Sequence, residues 1–96
     1  MVRLKSKEDI ELLKKSGAIL VRVLRELEKK ALPGVSLLDL DKLAAEIIKN
    51  AGAEPAFLGY QATSRSAPFP AVICASKNQT IVHGIPYDIP LEEGDL

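Results

Sequence analysis

The one histidine of this 96-residue sequence, His83, closes the apolar β-branched run Thr80-Ile81-Val82 and is followed at once by Gly84, Ile85 and Pro86. Imidazole is the side chain best suited to exchange protons or donate a hydrogen bond near neutral pH. A strand ending at His83 would hold that ring where a loop begins, and loops on a rigid scaffold are where reactive groups are carried. The competing reading is a structural histidine that satisfies a main-chain carbonyl at the strand end. The one cysteine, Cys74, could act as a nucleophile only with His83 as its base. As a packed side chain it behaves as a small hydrophobe, and this simpler role, with pocket lining as a variant, is the expected one. One His and one Cys fall short of the four ligands of a structural zinc site.

Phe57, Tyr60 and Phe69 gather in a stretch with few other large side chains. They form either a satellite core or the wall of an apolar pocket, and their loop setting favours the pocket. The carboxylates are poorly placed for catalysis. Glu8, Asp9, Glu11, Glu26, Glu28, Asp39, Asp41 and Glu46 fall on helix caps or solvated faces. Asp88, Glu92, Glu93 and Asp95 share a late loop without the alternating ligand spacing of a calcium loop. No phosphate-binding glycine pattern, Ser-centred elbow or His-Glu-x-x-His element is present.

The elements that must position these residues follow from spacing. Ser6 and Asp9 form a capping box, and Ile10, Leu13, Gly17, Leu20, Leu24, Leu27 and Ala31 recur in steps of three and four. Ile19 and Val23 widen that stripe. Gly17 on the stripe predicts the close approach of another element, and Pro33-Gly34 ends the helix. Ser36 and Asp39 repeat the cap, and Leu37, Leu40, Leu43, Ala44, Ile47 and Ile48 mark a second helix ending near Gly52. Beyond it the spacing predicts short strands at Ala56-Phe57-Leu58, Ala71–Ala75 and Thr80–His83, the last two as a hairpin around Ser76–Gln79. The expected class is α+β: two amphipathic helices followed by a short antiparallel β-hairpin or sheet, in a single partial domain spanning 1–96. Leu91–Leu96 reads as a turn into a further strand cut at its first residues, whereas Met1 reads as a native beginning. So few short strands need partners to make a stable sheet.

Lys plus Arg and Asp plus Glu number 13 each, so no general attraction to nucleic acid or an anionic membrane is expected. No apolar run approaches the roughly 20 residues that span a bilayer, and the N-terminus lacks the apolar core of a signal peptide. A lone cysteine makes no internal disulfide and agrees with a reducing, cytoplasmic setting.

Several segments, taken in order, resemble the N-terminal part of type I methionine aminopeptidases, which have the pita-bread fold. They are Lys7–Gly17, Leu32-Pro33-Gly34-Val35-Ser36 through Asp41, Leu58-Gly59-Tyr60, Phe69-Pro70 through Cys74, and Ser76. Asn78 with His83-Gly84-Ile85-Pro86, and Leu91–Asp95, complete the set. The ordered series ending in Asn-x-x-x-x-His-Gly-Ile-Pro is the specific part, and the likeness covers essentially the whole chain.

The resemblance implies a hydrolase that removes the initiator methionine from nascent proteins. It implies two divalent metal ions (Co, Mn, Fe or Zn) in the full-length parent. Their ligands, two aspartates, one histidine and two glutamates, lie beyond the point matching Leu96, so no metal ligand and no activity are expected of these residues alone. By resemblance His83 contacts substrate near the scissile peptide and helps stabilise the transition state. Phe57, Tyr60, Phe69 and Cys74 resemble the wall of the methionine pocket, and the backbone near Asn78 and Thr80 resembles a monovalent-cation site. The implied partner is the N-terminal Met of nascent polypeptides, with ribosome association and a monomeric parent. Gln79, Val82 and a longer Gln61–Pro68 segment depart from many family members. The alternative function is a non-catalytic pita-bread binding module. An Xaa-Pro peptidase fits the His-Gly-Ile-Pro match less well, and a small helix-hairpin interaction domain does not explain the ordered matches.

Overall fold

The computed structural model describes residues 1–96 and contains two helices, α1 (Lys7–Lys30) and α2 (Leu37–Asn50). Both begin where a serine and an aspartate three residues on satisfy each other's neighbouring N–H groups. Ser6 Oγ accepts the Asp9 N–H and the Asp9 carboxylate accepts the Ser6 N–H, each at 3.0 Å. Ser36 and Asp39 do the same at 3.0 and 3.1 Å. These bonds engage donors that the first helical turn leaves without an intrahelical acceptor. In α2 the next donors are also used: the Leu37 and Leu38 N–H groups bond to the Ile89 and Tyr87 carbonyls. The end of α2 is equally local. Gly52 adopts φ +74°, its N–H bonds to the Lys49 carbonyl and the Ala53 N–H to the Ile48 carbonyl, the Schellman pattern that favours glycine.

The helices pack through a narrow contact. Val23 of α1, Ala44 and Ile47 of α2, and Val72 form the buried cluster, flanked by half-buried Ile19, Leu27, Leu43 and Ile48. The line that α1 buries is therefore Ile19–Val23–Leu27. Ile10, Leu13, Leu20 and Leu24, expected on the same buried stripe, are exposed. Gly17 has open space around it, so the close approach expected there does not occur. Periodicity finds an apolar face, but which part of it is covered depends on what lies opposite.

The expected strands are absent, which corrects the α+β reading. Residues 51–96 contain no β-strand or sheet, and Ser36 and Pro90 form a single isolated antiparallel bridge. The Ala71–Ala75 and Thr80–His83 hairpin does not form. Ile81 and Val82 are exposed, and His83 at the end of the second run takes φ +53°, as does Asn78 in the expected turn before it, which breaks an extended path. Ala56–Leu58 leads into a turn closed by the Tyr60 N–H on the Phe57 carbonyl, with Gly59 at φ +80°. Short apolar runs become strands when a partner takes up their N–H and C=O groups, and none is positioned to do so here.

The irregular half is tied to the helices at three places. The Gly34 N–H donates to the Leu91 carbonyl and the Leu91 N–H to the Val35 carbonyl, both at 2.8 Å, beside the Ser36–Pro90 bridge. Asp41 Oδ1 accepts the Val72 and Ile73 N–H groups at 2.8 and 2.9 Å. Asn78 is clasped to the last residues: its N–H bonds to the Leu96 carbonyl, its Oδ1 accepts the Leu96 N–H and its Nδ2 donates to Asp95. No helix is long and apolar enough to cross a membrane.

Candidate functional site

His83 is exposed, and its backbone sits in the left-handed region at φ +53°. That conformation costs an L-residue about 1–2 kcal/mol, so it persists only where neighbours impose it. The neighbour here is Gly84. It is buried, its N–H donates to Ser76 Oγ at 3.1 Å, and its carbonyl accepts the Ala75 N–H at 2.8 Å. A Cβ added to Gly84 would lie 2.7 Å from the Ala75 carbonyl carbon and 2.9 Å from the Ser76 Cα. Only glycine allows the two backbones to pass this closely. Buried Pro86 follows and fixes the chain beyond the turn. The result is an imidazole carried into solvent on a backbone gripped from below.

The aromatic residues are also brought together, by loop geometry. The Gly59 N–H bonds to the Phe69 carbonyl and the Phe69 N–H to the Tyr60 carbonyl, both at 2.8 Å, which closes the Gln61–Pro68 loop at its base. Phe57 and Phe69 meet edge to face, with ring centroids 6.5 Å apart and planes at 86°. Gln61 Nε2 on the Ser66 carbonyl, and the Thr63 and Ser66 hydroxyls on each other, hold the loop's interior. Phe57 and Tyr60 stay largely exposed, Phe69 is half-buried and Cys74 is an exposed free thiol.

A cavity of about 520 Å³ lies elsewhere, between the α1–α2 turn, residues 75–77 and residues 91–96. Leu32, Leu37, Leu40, Leu91 and Leu96 line it, and it includes none of His83, Phe57, Tyr60, Phe69 or Cys74. No group of three His, Cys, Asp or Glu side chains is placed to hold a metal ion. These residues do not fit a dinuclear metal centre.

Two placements escaped the sequence. Asp41, assigned to a solvated face, is an anchor for Val72 and Ile73. Its position three residues before Ala44 and seven before Ile48 puts it on the apolar side of α2, where a carboxylate needs a partner. Asp95 is the other. Its carboxyl is held below the ordinary carboxylate value first by the Glu92 N–H and next by the Asn78 side-chain amide, against the opposing effect of burial. Lys77 Nζ adds an ion pair at 3.5 Å. Asn78, at φ +53°, is held in this clasp, and no local pattern announces a contact 17 residues away.

Two capped helices carry irregular loops, one of which presents the exposed His83 on a constrained turn. The sequence profile of Metallopeptidase family M24 matches residues 11–96, and the chain belongs to that family. It is 42% identical over 95 residues to the methionine aminopeptidase of Helicobacter pylori, covering 99% of this chain and 35% of that protein. Among solved structures it is similar to the methionine aminopeptidase of Thermotoga maritima, with a TM-score of 0.90 and 35% identity over 99% of this chain and 36% of the other. The methionine aminopeptidase of Rickettsia prowazekii gives 0.89 and 30% at the same coverage. The chain thus spans about a third of the length of the proteins it matches. The likeness supports the N-terminal part of the pita-bread fold, without the hairpin expected from sequence.

Proposed function

We propose that residues 1–96 are the N-terminal segment of a catalytic domain that removes the initiator methionine from nascent polypeptides by metal-dependent hydrolysis. In this reading His83 contacts the substrate beside the scissile peptide. An imidazole N–H donates a hydrogen bond to the oxygen on which charge develops, which lowers the barrier most when the donor is positioned in advance. Phe57, Tyr60, Phe69 and Cys74 line the methionine side-chain pocket. The metal pair, drawn from Co, Mn, Fe or Zn, supplies an activated water and is held by residues outside this stretch. The full-length protein acts in the cytoplasm on chains emerging from the ribosome and works as a monomer.

The observation that carries this reading is the coincidence of the family match over residues 11–96 with the exposed His83 on its left-handed turn. The test is His83→Ala in the full-length protein. Turnover of a Met-initiated peptide is expected to fall about 100-fold or more, in the range seen for loss of one transition-state donor, with bound metal unchanged. Undiminished turnover would remove His83 from the reaction. A full-length protein that binds Met-initiated peptides, retains no metal and never cleaves them would be a binding module instead.

A further inference from the structure

The family match leaves open what keeps His83 in a conformation that non-glycine residues avoid. We infer that Ser76 is a positioning residue for His83, its hydroxyl holding the His83–Gly84 peptide in the left-handed turn that presents the imidazole. Three observations converge on it. Ser76 Oγ accepts the Gly84 N–H at 3.1 Å. Gly84 is buried while Ser76 is exposed, so the bond is part-buried and water replaces the hydroxyl at the Gly84 N–H only in part. The Ala75 N–H bonds to the Gly84 carbonyl on the other side, so residues 75 and 76 grip Gly84 through both of its main-chain polar groups, on the two peptide units that flank its Cα. Removing the hydroxyl leaves a part-buried donor without its protein partner next to a residue whose φ is already unfavourable. The backbone then relaxes toward ordinary φ values, and the ring attached to it moves.

The inference rests on His83 contacting substrate for its catalytic consequence, but not for its structural one. The two are tested separately in the full-length protein with Ser76→Ala and Ser76→Thr, the second of which keeps a hydroxyl. Amide hydrogen exchange at Gly84 is expected to quicken about tenfold in S76A, as for loss of one hydrogen bond, and to return toward the parent value in S76T. With a Met-initiated peptide, kcat is expected to fall about tenfold in S76A with KM within about twofold, since a misplaced group stabilises the transition state less well than it permits binding. In an H83A background S76A is expected to reduce turnover no further. Unchanged exchange at Gly84 overturns the inference. So does a loss of turnover in S76A that is as large without the imidazole as with it. Full activity in H83A overturns the functional reading instead, and the exchange result still decides the role of Ser76.

Discussion

At the residue scale, Asp41 is the clearest case of one side chain setting the course of a distant segment. A single carboxylate oxygen takes two consecutive main-chain N–H groups more than thirty residues away, and it does so beside the buried Val72. Asp41→Ala leaves both donors unpartnered, so we expect a loss of about 2–4 kcal/mol in urea unfolding of the full-length protein, from the cost of stranding buried donors. Asp41→Asn keeps an acceptor oxygen and is expected to lose about half as much. Equal effects of the two changes would show that charge, not acceptance, is what matters. Asp95 gives a pH dependence whose sign follows from its partners. Its folded-state pKa lies below the ordinary value of 3.8, so the stability it lends is complete above that value and is lost as pH falls through the lower, folded one. Asp95→Asn in the full-length protein should therefore flatten the fall in urea midpoint on acidification below about pH 4. A parent and variant that fall in parallel would place the acid sensitivity elsewhere. The bend at His83 was legible from the Gly84 and Pro86 that follow it, although no strand leads into it. Ser76 and Asp41 were not, because each acts through a main-chain N–H that only the folded path brings within reach.

At the scale of elements, the two helices were readable because what starts and stops them lies within a few residues. Ser6 with Asp9, Ser36 with Asp39, and Gly52 are local devices, and all three form as their spacing implies. They are not equivalent. Ser6 is exposed, whereas Ser36 is 3% exposed and also bridges to Pro90. Ser36→Ala is expected to cost about 1.5–2 kcal/mol and Ser6→Ala about 0.5–1 kcal/mol, at opposite ends of the range for N-caps. Urea denaturation of the two variants decides it, and a larger loss from Ser6 would reverse the assigned importance of the two caps. The strands failed for the complementary reason. Ala71–Ala75 and Thr80–His83 have strand composition, but a strand is defined by another chain segment at hydrogen-bonding distance, and composition does not name that segment. The same holds for the face of α1. The apolar stripe was visible, yet of it Ile19, Val23 and Leu27 are the residues that join the buried cluster.

The whole molecule is under-covered for its mass. Its accessible surface is 7832 Å², whereas a folded monomer of this mass exposes about 5,400 Å². Its radius of gyration is 15.4 Å, against about 12.5 Å for a compact domain of this length. Six apolar residues are buried, while Leu13, Leu20 and Leu24 each leave more than half of their surface in water. Burial on that scale does not offset the conformational entropy of ordering the irregular half. Hydrogen bonds such as the Asn78–Leu96 clasp fix the path of the loops but add little net stability at exposed sites. Residues 1–96 in isolation are therefore expected to show no heat-capacity peak on calorimetric melting and to bind a dye that reports exposed apolar surface. In the full-length protein the same α1 face is expected to be covered, so Leu20→Glu should destabilise it by about 2 kcal/mol or more, as a charge forced against an apolar contact does. A sharp cooperative melt of the isolated residues would mean that the Val23–Ala44–Ile47–Val72 cluster is a sufficient core. A neutral L20E would mean that the exposed stripe of α1 faces water in the complete protein as well.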